Sequence, residues 1–344
     1  MQAREDQLLV DAATAMSYPA GPSLSVESFI AARNRSATLA ADVVAGLTAT
    51  PKTLPPKWFY DERGSQLFDE ITRLPEYYPT RRERWILRHR AGAIAALSGA
   101  DTLVELGSGT AEKTRLLLDA MARAATLRRY ILFDVSEETL LAAGREIASE
   151  YPAIQVHAVV GDFELDLVHL PREGRRMVAF LGGTIGNLLP PQRASFLSEL
   201  RATLAPGESL LLGTDLVKDP ARLEAAYDDG AGVTRAFNLN VLAVINRELG
   251  ADFDLESFEH LARFDPDQEW IEMHLRSSVD QLVRVEALEL DVAFHASETI
   301  RTEISAKFRK ERIAAELARS GFELAGWWTD PGGDFGLSLS FARA

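Results

Sequence analysis

The chain contains no cysteine among its 344 residues, which excludes disulfides, zinc-thiolate sites and cysteine nucleophiles. It lacks any apolar run near the ~18 residues of a membrane span. Its first residues, Met1 to Asp6, lack the basic and apolar stretches of a secretion signal. Histidine is sparse: His89, His157, His169, His260, His274 and His295 show no metal-ligand spacing. Positive charge is also short, with 37 Lys and Arg against 51 Asp and Glu, a net charge of -14. Such a surface repels phosphate backbones and anionic membranes, which argues against both as partners. What is present suits a globular protein: 47% hydrophobic and 26% charged residues. The length exceeds one ordinary core and calls for two domains, or one with a large insertion. The expectation is a cytoplasmic, monomeric, metal-free enzyme acting on a small molecule.

Residues 1–25 mix Ala, Ser, Pro and Gly without periodicity and read as a loose extension. Helical spacing is expected from Val26 to Leu47, and again over 65–97 with breaks at Pro75 and Pro79. The basic cluster Arg81, Arg82, Arg84 and Arg88, beside Glu83, reads as a solvated helix face. Strands and helices then alternate. Thr102–Leu106, Tyr130–Phe133, Gln155–Val160, Met177–Leu181 and Ser209–Gly213 are short apolar strands, and helices follow most of them. This predicts an α/β fold with a doubly wound parallel sheet. The alternation stops over 218–302, where helices Pro220–Tyr227 and Val233–Leu249 precede strands Glu269–Ser277 and Leu288–Phe294. A helix at Lys310–Ser320 and two closing strands end the chain. The expected division is a core of 82–217 plus 307–344 and a second α+β unit of 26–81 plus 218–306.

The loop Glu105-Leu-Gly-Ser-Gly-Thr-Ala111 lets backbone approach a ligand at a helix N-terminus. It is not a dinucleotide fingerprint, because Glu112 stands where the third glycine would be. A carboxylate at Glu105 suits a cationic sulfonium better than a pyrophosphate. Asp134 ends the next strand, placed to accept ribose hydroxyls. Asp162-Phe163 ends the third, where an acid and an aromatic ring suit an adenine. Lys113, at the start of the loop's helix, is either an exposed lysine or a partner for an anionic ligand group. Gly107, Lys113, Asp134, Asp162 and Phe163 together point to S-adenosylmethionine. After the fourth strand, Gly182-Gly-Thr-Ile-Gly-Asn187 lacks the Asn/Asp-Pro-Pro-aromatic clamp of methyltransferases acting on planar amines.

Several blocks resemble one family: Lys57-Trp-Phe-Tyr60-Asp61, Leu74-Pro-Glu-Tyr-Tyr-Pro-Thr80, Gly182 to Asn187, Thr214-Asp-Leu-Val-Lys-Asp219, Ala225-Ala-Tyr227-Asp228, Phe237-Asn-Leu-Asn240 and Trp327-Trp-Thr-Asp330. These are similar to the histidine Nα-methyltransferase of ergothioneine biosynthesis, in its actinobacterial form. The resemblance runs from about Leu24 nearly to the C-terminus. It implies a class I methyltransferase (Rossmann-like) fold and trimethylation of L-histidine to hercynine. It also implies that Tyr60, Asn187 and Tyr227 hold the amino and carboxylate end, and that Gly182 lines the site near the amine. Glu303 and Ser305, in Thr302-Glu-Ile-Ser-Ala-Lys307, would hold the imidazole, with Met273 as an apolar wall. Tyr77 would join the cofactor residues, and Tyr60 would receive the amine protons. From the residues alone, Tyr60, Tyr227 and Met273 read more readily as core side chains, and Glu303 as a strand-edge acid. The alternatives are a methyltransferase acting on another amino acid or amine, or a non-catalytic binding module.

Overall fold

The computed structural model describes residues 24–29 and 35–344. The expected extension over 1–25 lies outside them except for its last two residues. Those two open a strand, β1 (Leu24–Ser28), which pairs in parallel with the edge of the main sheet. Leu24 and Val26 are buried whereas Ser25 is exposed, the two-residue period of a strand. This corrects two expectations. The second unit does not begin at Val26, which lies in a strand, and the first helix among the described residues is α1 (Arg35–Leu47).

After α1 come β2 (Lys52–Thr53), α2 (Glu62–Ile71) and α3 (Pro79–Ser98). Asp61 caps α2, accepting from the Gly64 amide at 2.8 Å. Pro79 opens α3, where a missing amide costs nothing. The alternating region follows as β3 (Thr102–Leu106), α4 (Arg115–Arg123), β4 (Arg129–Asp134), α5 (Glu137–Glu150) and β5 (Gln155–Val160). It continues with β6 (Arg176–Phe180), α6 (Pro190–Thr203) and β7 (Ser209–Asp215). Strands β3, β6 and β7 are buried along their whole length, as strands covered on both faces must be. Leu103 joins the core with Ile86, Leu117 and Leu140 from α3, α4 and α5. Its neighbour Val104 joins Phe196 and Leu200 of α6 on the opposite face.

The chain then leaves this sheet for α7 (Pro220–Tyr227), α8 (Val233–Leu249), β8 (Phe258–Asp265) and β9 (Trp270–Ser277). A hairpin of β10 (Gln281–Val285) and β11 (Leu290–Phe294) leads to β12 (Thr299–Ala306). Strands β2, β12, β9 and β8 form a four-stranded sheet in that order. It shares a core with α1, α2 and α8 built on Val43, Phe59, Ile245, Phe258 and Leu275. Finally α9 (Lys310–Arg319), β13 (Phe322–Thr329) and β14 (Phe335–Ala342) rejoin the main sheet. Its order is β1-β5-β4-β3-β6-β7-β14-β13, parallel as far as β7 and antiparallel thereafter.

Strand order reverses between β3 and β6, so a crevice opens beyond their C-terminal ends. The second sheet closes over it. Just past β12, the Phe308 amide donates to Asp215 O at 2.8 Å and the Val217 amide to Phe308 O at 3.1 Å. These bonds stitch the end of β12 to the end of β7. No helix among the described residues is long and apolar enough to cross a membrane.

Candidate active site

The loop after β3 needs glycine. Gly107 and Gly109 have φ of +68° and +50°, a region that side-chain-bearing residues avoid. A Cβ at either would meet nothing within 4 Å, so the outer side of the loop is open to a ligand lying against its backbone. Ala111 also adopts positive φ, +53°, which explains why glycine is common at its place and alanine tolerable. The Gly107 amide donates to Phe133 O at 2.8 Å. Asp134, at the tip of β4, accepts from the Gly109 amide at 2.8 Å and from the Ser136 amide at 3.0 Å. Burial raises its carboxyl despite those bonds.

Three expectations for this end of the crevice change. Glu105 does not face a ligand; it is buried behind the loop, where it accepts from Tyr130 Oη at 2.5 Å and from Thr114 Oγ1. That burial lifts it to about 7. Lys113 precedes α4, whose first residue is Arg115, and forms an ion pair with Glu83. Glu83 itself is fully buried, so this face of α3 is not merely solvated. Its other oxygen accepts from the Gly182 amide at 2.8 Å. One carboxylate thereby ties the cofactor-side lysine to the loop after β6. Asp162, after β5, accepts from the Glu164 amide at 2.9 Å. Phe163 packs edge-on against Phe180, with ring centroids 5.1 Å apart.

Where the two units meet lies a cleft with about 600 Å³ of open space. Tyr60, Gly182, Asn187, Tyr227, Met273, Glu303 and Ser305 all line it. So does Tyr77, which the resemblance puts with the cofactor residues; here its ring meets Tyr227 edge-on at 6.3 Å. Tyr60 stands between Phe68 and Phe237, at 5.6 and 5.5 Å. Burial, then the charge of Glu303, pushes the Tyr60 phenol well above its ordinary range. Burial also raises Tyr77 and Tyr227. Glu303 is lifted to about 7 by burial, with Lys307 pulling the other way.

Beneath the cleft runs a polar chain that the sequence reading did not assign. Lys307 is fully buried. Its Nζ lies 3.0 Å from Asp215 Oδ2 and donates to Tyr227 Oη at 3.0 Å and Ser305 Oγ at 2.8 Å. Tyr227 Oη and Ser305 Oγ are 2.7 Å apart. On its far side Asp215 accepts from Tyr78 Oη at 2.7 Å and pairs with Lys218 at 2.6 Å. Burial opposes ionisation of Asp215, yet Lys307 and Lys218 outweigh it and hold the carboxyl below its usual value. The signal was there to read. Glu303, Ser305 and Lys307 alternate along β12 and its end, and period two puts them on one face.

A doubly wound sheet in this order, with a glycine turn after its central strand and an acid at the tip of the next, defines a class I methyltransferase. A sequence model of the S-adenosylmethionine-dependent, histidine-specific methyltransferases matches residues 39–342. The chain belongs to that family. It is 62% identical to a histidine N-alpha-methyltransferase of Mycolicibacterium smegmatis, over 92% of this chain and 99% of that one. Identity to the histidine N-alpha-methyltransferase of Mycobacterium tuberculosis is 58%, over 88% and 94%. The ergothioneine biosynthesis protein 1 of Neurospora crassa is 31% identical over 84% of this chain and 33% of its own length.

Proposed function

We propose that the chain transfers three methyl groups from S-adenosylmethionine to the α-amino nitrogen of L-histidine, giving hercynine, a step of ergothioneine biosynthesis. The observation that carries this reading is a shared cleft. Glu303 and Ser305 reach it from β12, and Asn187 and Tyr227 line it beside the Gly182 loop. An imidazole has use for an acceptor and a hydroxyl side by side, whereas a simple amine or an aliphatic side chain does not. The activity for which the two mycobacterial relatives are named supports the same substrate.

On the cofactor side, Asp134 would receive the ribose hydroxyls. Each of its oxygens already accepts one amide, and each keeps a second lone pair for a hydroxyl. The Gly107 turn would pass along the ligand, Asp162 and Phe163 would take the adenine, and Lys113, steadied by Glu83, the carboxylate. S-adenosylmethionine supplies a methyl on a sulfonium sulfur, whose departure leaves a neutral thioether.

On the acceptor side, Asn187 and Tyr227 hold the carboxylate and amine, and Tyr60 and Tyr77 flank the nitrogen. Each transfer releases one proton, and alignment of a neutral amine does most of the work. The Tyr60 phenol stays protonated. It therefore accepts a hydrogen bond from the amine and takes up that proton only as its own passes to water, so the phenol ends each step as it began. Tyrosine and phenylalanine rings then face the growing cation without a full negative charge. Met273 offers an adaptable apolar wall to the ring. A cytoplasmic monomer suffices, because one chain supplies every group named, and displacement at a sulfonium requires no metal. Mass spectrometry of histidine incubated with enzyme and S-adenosylmethionine tests the reading. Successive additions of one, two and three methyl groups are expected, and unmodified histidine would refute it.

A further inference from the structure

Lys307 lies one step below the acceptor cleft, and its proton count constrains what the cleft can bind. An ammonium has three donors and no acceptor. Here those donors meet three oxygens: Asp215 Oδ2 at 3.0 Å, Tyr227 Oη at 3.0 Å and Ser305 Oγ at 2.8 Å. Both hydroxyls must therefore accept from Lys307. They are also 2.7 Å from each other, so one of their two protons is spent between them. A single hydroxyl proton remains for whatever occupies the cleft. Geometry allows either hydroxyl to donate; a phenol is intrinsically a stronger acid and poorer acceptor than an alcohol, which favours Tyr227 as the donor to Ser305. Ser305 Oγ then accepts twice, from Lys307 and from Tyr227. With both lone pairs used, it faces the cleft as a donor only.

We infer that Lys307 is a specificity-determining positioning residue: by filling an acceptor site on both Tyr227 and Ser305, it makes Ser305 a pure hydrogen-bond donor, so that the cleft selects a ring bearing one N–H and one unprotonated nitrogen. This rests on the histidine reading above. Glu303 takes the ring N–H, and Ser305 donates to the bare nitrogen. An imidazolium, with two N–H groups, would set one against the Ser305 proton. A ring with only an N–H would leave that buried proton unpaired. Asp215 is the counter-charge of the lysine: it is buried beside Lys307, with Lys218 and Tyr78 on its other side.

The test compares binding of histidine with binding of pyrrolylalanine, in both isomers, by calorimetry with S-adenosylhomocysteine present. Pyrrolylalanine keeps a ring N–H and lacks the second nitrogen. The native protein is expected to prefer histidine by at least about tenfold, the lower range of an unsatisfied buried donor. In Lys307→Met, Ser305 and Tyr227 each regain a lone pair, so Ser305 can donate to Tyr227 and present an acceptor to the cleft in place of its proton. The preference should then fall to within about threefold, mostly through weaker histidine binding. Lys307→Met leaves Asp215 short of a counter-charge, so Lys307→Met with Asp215→Asn is the companion variant. Unchanged affinity for S-adenosylhomocysteine certifies the fold in each. A preference as large in a folded variant as in the native protein would overturn the inference. Failure of the native protein to bind histidine at all would instead overturn the substrate assignment.

Discussion

Replacing Glu303 by Gln should make the protein more stable and the site a weaker binder of histidine. Burial lifts the Glu303 carboxyl from 4.5 to about 7. A carboxyl raised in the folded state binds its proton more tightly there than in the unfolded chain. The folded protein is therefore at no disadvantage below the unfolded value. Stability drains away as pH rises from about 4.5 to about 7, and the whole cost is present above that. At about 1.4 kcal/mol per pH unit, the cost above pH 7 is about 3 kcal/mol. Glu303→Gln removes the titration and keeps the shape, so it should raise stability by about 3 kcal/mol near pH 8 and by less than about 1 kcal/mol near pH 5. Urea denaturation of both proteins at the two pH values measures this directly. Histidine titrated into the variant, with S-adenosylhomocysteine present, should bind about tenfold more weakly, because a neutral amide oxygen replaces the carboxylate as acceptor for the ring N–H. Two outcomes would refute the reasoning: a stability difference that is the same at both pH values, or a variant less stable than the native protein near pH 8.

Three further changes probe other parts of the site. Glu83→Leu strips the partner from Lys113 and the acceptor from the Gly182 amide; it should cost about 3 kcal/mol in urea denaturation, and an unchanged midpoint would show the pair to be idle. Asp134→Ala orphans the Gly109 and Ser136 amides and should weaken S-adenosylhomocysteine at least about tenfold, with retained affinity counting against its place in the cofactor site. Tyr60→Phe keeps the aromatic packing against Phe68 and Phe237 and removes only the hydroxyl. All three methyl additions should slow, and unchanged rates in a mass-spectrometric time course would remove Tyr60 from proton transfer.

The main sheet is legible in the sequence because its strands are apolar on both faces and end in residues with a clear purpose. Thr102–Leu106 and Gln155–Val160 coincide with β3 and β5 to the residue, and Asp134 closes β4 as expected. Strand β1 escapes because nothing local marks it. Its partner, β5, lies about 130 residues away, and Ser25 and Glu27 dilute its five residues. Strands β8, β10 and β12 escape for a related reason. Arg263 on β8 pairs with Glu272 on β9 at 2.8 Å, so charges occupy positions where a sheet pattern would show apolar residues. Ion pairing across neighbouring strands stabilises such a sheet without leaving a hydrophobic alternation to read.

The same property explains why the cofactor could be argued from the residues while the acceptor came only through resemblance. Cofactor groups sit at strand tips, and strand tips follow from the apolar runs that precede them. The imidazole-side groups, Glu303 and Ser305, sit inside a strand. Thr302, Glu303, Ser305 and Lys307 are all buried, yet none is apolar, so β12 reads from sequence as a surface segment. Burying such a set is costly unless every group is paired or kept for a ligand. Thr302 is paired with Asn238 Oδ1 at 2.6 Å and Lys307 with its three oxygens. Glu303 alone takes part in no hydrogen bond or ion pair among the described residues, and it is the one whose carboxyl burial lifts to about 7. Thr302 and Lys307 are satisfied inside the protein, whereas the Glu303 carboxyl and the Ser305 proton are left to the substrate. The polar residues that hide β12 from pattern analysis are therefore the ones that choose the ligand.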